Sequence, residues 1–416
     1  MLISDEKKYL RELAKKQAEY AALPIMKQRE KAWYAHNSLL GEKPMVIMEM
    51  TSFQNDLMPP LLCEDPFLRE MEHQLQLNII NYEKVNDDKV MPDFINVRHK
   101  INMKELNFDR HIHHAKDREG RNIGYAAEHP ISDLEQDFHK IQKSVYSYDK
   151  KTTDENLDLA MDLFGDILKV NLYNDTLRWF ISLTARAVNI MGLERLMYSM
   201  YDYPEKTHEM FQFITDDSIE YIRWQEANNL LTLDNGNHLA GAGSFGFTNE
   251  LPTEECKRTG RIKTEDLWIN MNSQESVGIS PSMFKEFVYP NYERIAKMFG
   301  LGYYGCCEPV HEVWKGCLEN LPHLRKVSIS PWCDENFMGQ ALKGSKIIYS
   351  RKPSPNYIGV GKFDEPAFRD HIAKTLHAAK GCEAEIIFRD IYTITGEADK
   401  PKKAVSIVRE LIEELW

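Results

Sequence analysis

Leu301-Gly302-Tyr303-Tyr304-Gly305-Cys306-Cys307-Glu308-Pro309-Val310-His311 runs from a short apolar stretch into two thiols, a carboxylate and an imidazole within six residues. The apolar part has the length of a buried strand, so the reactive groups sit where a strand stops and a loop begins. In an α/β barrel that edge carries the chemistry. A thiol pair beside Glu and His has the ligand types of a zinc site. The plainer alternative is a buried thiol, a solvent-facing Glu308 and a helix-starting His311. Cys306, Cys307, Glu308 and His311 are therefore the expected metal ligands. Neighbours on an extended chain point to opposite faces, so one of the two thiols is expected to face the pocket.

Working outward, apolar runs of strand length recur at Val46–Met50, Phe94–Val97, Leu230–Leu233, Leu267–Met271, Leu301–Tyr304, Val327–Ile329, Ile347–Tyr349 and Ile386–Phe388. Amphipathic patterns separate them. One begins at Pro204 and places Met210, Phe211, Ile214, Tyr221 and Ile222 on one face. Another begins at Ser280-Pro281, an N-cap and a first-turn proline, with Pro290 expected to interrupt it. The last starts near Pro401. Strand–helix alternation implies parallel strands covered by helices, and eight such units predict a TIM (β/α)8 barrel over residues 44–416. Residues 1–43 read as a helical extension packed outside the body or against a second copy, as in a homodimer. Residues 99–176 are polar and break the alternation. They are expected to be an insertion at the barrel mouth, with His111, His113 and His114 in a surface loop.

A chain of 416 residues fits a barrel with insertions, and 43% apolar residues suffice for its core. A net charge of −12 argues against nucleic acid as a partner. No apolar run is long enough to span a bilayer. Seven cysteines, of which only Cys306 and Cys307 are close, do not make a secreted disulfide framework. The start lacks the pattern of a signal peptide, and a reducing cytoplasm is the expected compartment. A Gly-x-Gly-x-x-Gly turn, a Walker sequence and a nucleophile elbow are absent.

The residues following each run would line the barrel mouth. They are Glu49, the Asp234 to His238 stretch, Asn272 to Glu275, Cys306 to His311, Ser330 to Asp334, Ser350 to Pro353, and Arg389-Asp390. Each has an ordinary turn explanation, and Arg351 with Asp390 could form a structural ion pair. Together they offer the donors and acceptors of a catalytic pocket. His238, Asp234 and Asp390 are the candidates to protonate or hydrogen-bond a leaving oxygen. Glu49, Asn272, Gln274 and Arg351 are candidate substrate contacts, and Tyr303, Tyr304 and Trp332 would wall an apolar pocket.

Gln274-Glu275-Ser276-Val277-Gly278-Ile279-Ser280-Pro281-Ser282-Met283-Phe284-Lys285-Glu286-Phe287, with Pro290 beyond, resembles a hallmark of the uroporphyrinogen decarboxylase superfamily. The Ser350-Arg351-Lys352-Pro353-Ser354-Pro355 turn resembles its penultimate strand-end loop. The order of elements agrees from residue 44 onward. True uroporphyrinogen decarboxylases carry an Arg-Gln-Ala-Gly-Arg signature near the first strand. Here that region reads Val46 to Gln54, without arginine and with Glu49. The resemblance therefore points to the corrinoid-dependent methyltransferase branch. That branch carries zinc on a strand-end His-x-Cys pair plus a later Cys. Tyr304-Gly305-Cys306 falls at the pair, with tyrosine in place of histidine, and no cysteine follows Arg389-Asp390.

The resemblance implies a methyltransferase that moves a methyl group from a small donor, a methoxylated aromatic, to the cobalt of a corrinoid held by a partner protein. Zinc would act as Lewis acid on the ether oxygen. One competing expectation is a metal-independent decarboxylase in which Arg351 and Lys352 hold a carboxylate and Asp390 carries the proton. Another is a non-catalytic protein that binds a corrinoid or tetrapyrrole.

Overall fold

The computed structural model describes residues 3–109, 112–116, 122–177 and 181–416. Its strands in chain order are β1 (Met45–Met48), β2 (Phe94–Arg98), β3 (Ile101–Lys104), β4 (Ile112–Lys116), β5 (Asn122–Ala127), β6 (Val145–Tyr148), β7 (Lys169–Tyr173), β8 (Trp268–Met271), β9 (Leu301–Tyr304), β10 (Leu324–Ile329), β11 (Ile348–Arg351) and β12 (Ala384–Phe388). Six of these form a parallel sheet in the order β1-β12-β11-β10-β9-β8. A separate parallel pair joins β2 to β7. Helices between the strands cover one face, so the fold is α/β with parallel strands, as alternation of strand and helix requires.

Two expectations about the strands change. Leu230–Leu233 forms no strand. The Leu230 carbonyl and the Thr232 hydroxyl accept from Asn174, just beyond β7, so this run is tied to a loop by side chains rather than to a ladder. Conversely, Lys169–Tyr173 lies inside the stretch read as an insertion and is a parallel partner of β2. The rest of that stretch holds two antiparallel pairs, β3 with β6 and β4 with β5. His113 and His114 are exposed in β4, and His111 lies outside the described residues.

The periodicity elsewhere gives what it implies. Pro204 opens the helix Pro204–Ala227. Ser280 caps the following helix, its Oγ accepting from the Met283 N–H. Before Pro290 the chain widens into a π turn over Phe284–Val288, which accommodates a residue that cannot donate to the ladder. The N-terminal extension forms helices Ile3–Ala21 and Pro24–Asn37. The second of these is integral to the body. Its Trp33, His36 and Asn37 are buried. The His36 ring nitrogens bond Glu383 and Glu385 at 2.8 and 3.1 Å, at the starting end of β12. Among the described residues no helix is long and apolar enough to cross a membrane.

The pleat assigns each side chain to a face. Val327, Ile329 and Tyr349 pack toward the helices in the largest apolar cluster, and Val46, Met48, Ile386 and Phe388 do so in a second. The alternating positions point to the inner face. That face is apolar at Ile47 and Ile387, which share a cluster with Trp33 and Phe245. It becomes polar toward the strand ends, with Tyr303, Ser328, Ser350, Lys352, Glu49 and Arg389.

Candidate functional site

The parity of the last strand aims Arg389 inward, in line with Glu385 and Ile387. Its Nε donates to Glu49 Oε2 at 2.5 Å, just past the end of β1, which is paired with β12. Arg389 Nη1 reaches Cys306 Sγ at 3.6 Å. The two sulfurs of Cys306 and Cys307 are 3.6 Å apart, and Cys307 Sγ donates to Asp390 Oδ2 at 3.7 Å. One connected line of groups therefore runs from Glu49 through Arg389 and both thiols to Asp390. Asp390 takes a left-handed φ of 56°, which turns its carboxylate away from the strand alternation.

Residues 306–308 bend rather than extend, so the alternation of an extended chain does not set the directions of the two thiols. Gly305, at φ 98°, starts that bend. Glu308 holds it: its buried carboxylate accepts the N–H of Cys306 and the N–H of Ser273, each at 2.9 Å. Burial raises the Glu308 pKa, opposed by those backbone donors. The hydrogen bond from Cys307 lowers the Cys306 thiol, and Arg389 assists against burial. The Cys307 thiol is correspondingly raised, by its bond to Cys306 and by burial.

Beneath this line lies a buried lysine. Lys352 Nζ donates to Tyr303 Oη and to Ser350 Oγ, both at 2.7 Å, and those two hydroxyls are 3.0 Å apart. Burial pushes the Lys352 amine down to about 7, with Arg389 adding to the depression. Burial also raises the Tyr303 phenol. Gly241 packs against the Tyr303 ring so closely that a Cβ would lie 2.1 Å from it. At Gly243, with φ 79°, a Cβ would meet Ile387 at 2.6 Å, near Glu49 and Arg389.

A cleft of about 610 Å³ opens beside Glu49 and Arg389. His238 lines it, stacked between the rings of Phe94 and Tyr173 at 5.4 and 5.0 Å. Asn96 and Asn237 line it too, each with a buried amide oxygen that has no hydrogen-bond partner among the described residues.

Several expected site residues lie elsewhere. Arg351 faces the helices, where it donates to Glu335, Thr375 and the carbonyls of Ile329 and Ser330. It is not paired with Asp390. Tyr304 also faces the helices, its hydroxyl 2.5 Å from Ser273 Oγ and its ring against Tyr292. Asp234 accepts the N–H of Trp268 at 3.0 Å and so anchors the start of β8 rather than its end. Asn272 is buried with its carbonyl bonded by Tyr292, while Gln274 is exposed in a short turn. Trp332 is 73% exposed and does not line the cleft beside Glu49 and Arg389. Neighbours in a strand take opposite faces, and counting from Glu49 or Arg389 singles out Tyr303 and Lys352 in place of Tyr304 and Arg351.

The expected zinc ligands do not converge. Both Glu308 oxygens are engaged by backbone N–H groups, and His311 Nδ1 accepts from the Asp334 N–H at 3.4 Å, its ring near Phe337. Among the described residues no three His, Cys, Asp or Glu side chains stand where they could share one ion. The residues present do not fit the zinc centre expected of them.

No family model matches this chain, and no curated protein does. Among solved structures, a methyltransferase from Methanosarcina mazei is similar in fold, with a TM-score of 0.51 over 93% of this chain and 98% of that one. The two are 11% identical, a likeness of fold.

Proposed function

We propose that this chain is a methyltransferase that binds a small methylated molecule in the cleft beside Glu49 and Arg389. The observation that carries the reading is the fold shared end to end with a methyltransferase, joined to a cleft where parallel strands end. The eight parallel strands β1, β2, β7 and β8 to β12 are read as a (β/α)8 barrel of the uroporphyrinogen decarboxylase superfamily. On that reading loops close two seams. Asp87 and Asp88 accept the N–H groups of Met48 and Val46 along β1. Residues 230–234 lie between Asn174 and β8.

A corrinoid delivered by a partner protein would supply the nucleophile for the methyl carbon. The donor favoured is a methoxylated aromatic, its ring laid against the Phe94–His238–Tyr173 stack and its polar groups met by Asn96 and Asn237. As the carbon–oxygen bond breaks, its electron pair leaves with oxygen, and a proton must follow. Lys352 is the source, through the Tyr303 and Ser350 hydroxyls, because an amine titrating near neutrality gives and regains a proton readily. Arg389 supports the negative charge developing on the leaving oxygen. These roles need no metal-bound step.

A second reading is favoured by one observation, the two cations Lys352 and Arg389 gathered on the inner face. They would hold a carboxylate for decarboxylation, with Asp390 as proton carrier. The test mixes the purified protein with a cobalt(I) corrinoid protein and a panel of methyl ethers, methylamines and methyl thiols. Loss of the cobalt(I) absorbance with release of a phenol is expected. An unchanged spectrum across the panel would overturn the methyltransferase reading, and carbon dioxide released from a carboxylated substrate would install the second.

A further inference from the structure

Cys306 and Cys307 are partly exposed, whereas the other five cysteines, Cys63, Cys256, Cys317, Cys333 and Cys382, are buried. Their sulfurs approach to 3.6 Å because the backbone between them is clamped on both sides. The Cys306 N–H donates to Glu308, and the Cys306 carbonyl accepts from Ser328 Oγ at 2.8 Å. The two thiols also have unlike neighbours: a guanidinium beside Cys306 and a carboxylate beside Cys307. A cation favours a thiolate, and a carboxylate keeps the thiol that donates to it protonated.

We propose that Cys306 and Cys307 form a site of reversible oxidation, in which a hydroperoxide converts the dithiol into a disulfide between adjacent residues. The Cys306 thiolate attacks one oxygen of the peroxide. The O–O bond breaks, sulfur is oxidised to a sulfenic acid, and the departing hydroxide becomes water with a solvent proton. The Cys307 sulfur attacks the sulfur of Cys306 as its proton passes through the Asp390 carboxylate toward the oxygen that leaves. The S–O bond breaks, and the second hydroxide leaves as water with that proton. Two thiols and one hydroperoxide thus become one disulfide, water and the reduced oxidant, a second water where the oxidant is hydrogen peroxide. Adjacent Cα atoms are about 3.8 Å apart, below the roughly 4.4 Å at which ordinary disulfides begin, so the bond is strained and easily reduced.

Closure removes the charge that Arg389 meets at Cys306 and the donor that Asp390 meets at Cys307. Arg389 lines the cleft, so oxidation reports directly to it. This sulfur chemistry goes beyond the methyltransferase reading and stands or falls without it.

The experiment treats the full-length protein with one equivalent of hydrogen peroxide, alkylates it under denaturing conditions and maps the peptides by mass. The expected result is loss of two hydrogens in the peptide holding both residues, reversed by dithiothreitol. Cys307→Ser should stop at a sulfenic acid on Cys306, trapped by dimedone. Cys306→Ser should react at least tenfold more slowly. Arg389→Met should slow the reaction of Cys306 with iodoacetamide at neutral pH roughly tenfold, and Arg389→Lys should keep most of the rate. Oxidation elsewhere first, a bridge from Cys306 to Cys333 or between chains, or equal rates in Cys306→Ser would overturn the proposal.

Discussion

Two lysines lie buried on the inner face of the same sheet, and their surroundings differ in one respect. Lys326, in β10 toward the end closed by the N-terminal helices, donates to Glu385 at 3.2 Å, to Ser244 Oγ at 2.6 Å and to the Phe245 carbonyl at 3.2 Å, over the rings of Trp33 and Trp268. Lys352, just past β11 at the open end, bonds only neutral oxygens among the described residues. Burial lowers the pKa of both. The attraction of Glu385 opposes burial at both, but only Lys326 is in contact with that carboxylate. Burial would raise the Glu385 carboxyl, but Lys326 and the His36 hydrogen bond hold it well below the usual carboxylate range. The lesson is that a buried cation with a carboxylate in contact is fixed, while one surrounded by hydroxyls is free to titrate.

The comparison breaks first at Lys326. Lys326→Met leaves Glu385 buried beside His36 without its ammonium partner, and should cost about 3–5 kcal/mol of stability in urea unfolding. If Lys352→Met costs as much, the two ends are not different in kind. Lys352→Met is expected instead to keep the fold and to lower turnover about 100-fold or more, as removal of a general acid does.

The pH dependence sharpens the contrast. The Lys352 amine titrates near 7 in the folded chain and near 10.4 when unfolded. Between those values the unfolded chain binds more protons, so stability rises with pH. Below about pH 7 the full penalty applies. Lys352→Met should therefore stabilise the protein at pH 6 by on the order of a few kcal/mol, an advantage that fades toward pH 10. Turnover that uses protonated Lys352 should fall as pH rises through about 7. A flat difference in urea midpoints between wild type and variant from pH 6 to 10 would remove the titrating role.

A smaller effect is expected at Glu49. Glu49→Gln keeps a hydrogen-bond acceptor for Arg389 but removes the charge. It should weaken substrate binding about tenfold, read as a rise in KM with little change in kcat. The smallest change should follow Trp332→Ala, which removes a ring that is 73% exposed. Stability should move by no more than about 0.5 kcal/mol, and turnover should not move.

Much of the scaffold was legible because buried parallel strands are short continuous apolar runs, as at Val327–Ile329 and Ile386–Phe388. Lys169–Tyr173 was not, since Lys169 and Asn171 interrupt its apolar residues within a polar stretch. Leu230–Leu233 is the opposite case, an apolar run that joins no ladder: the Leu230 N–H goes to the Gln225 carbonyl and the Leu230 carbonyl to the Asn174 side chain. At the candidate site, composition marks the strand ends but not which face each side chain takes. Tyr304 and Arg351 face the helices while their neighbours Tyr303 and Lys352 take the inner face, because one residue reverses a strand's sides. The thiol pair departs from any simple alternation because Gly305 and Glu308 fold the chain there, an arrangement made by contacts to Ser273 and Ser328 far away in sequence.

The pairing of β1 with β12 sets a schedule for synthesis. Met45 finds Glu385 only after a further 340 residues (385 − 45) have been made, and at 5–20 residues per second that interval is roughly 20–70 s. Throughout it, β1 offers an unpaired apolar edge to the crowded surroundings of the ribosome. His36 likewise waits for Glu383 and Glu385. A nascent chain halted before residue 380 should accordingly be held by chaperones or aggregate, and release should come abruptly when the last strand emerges.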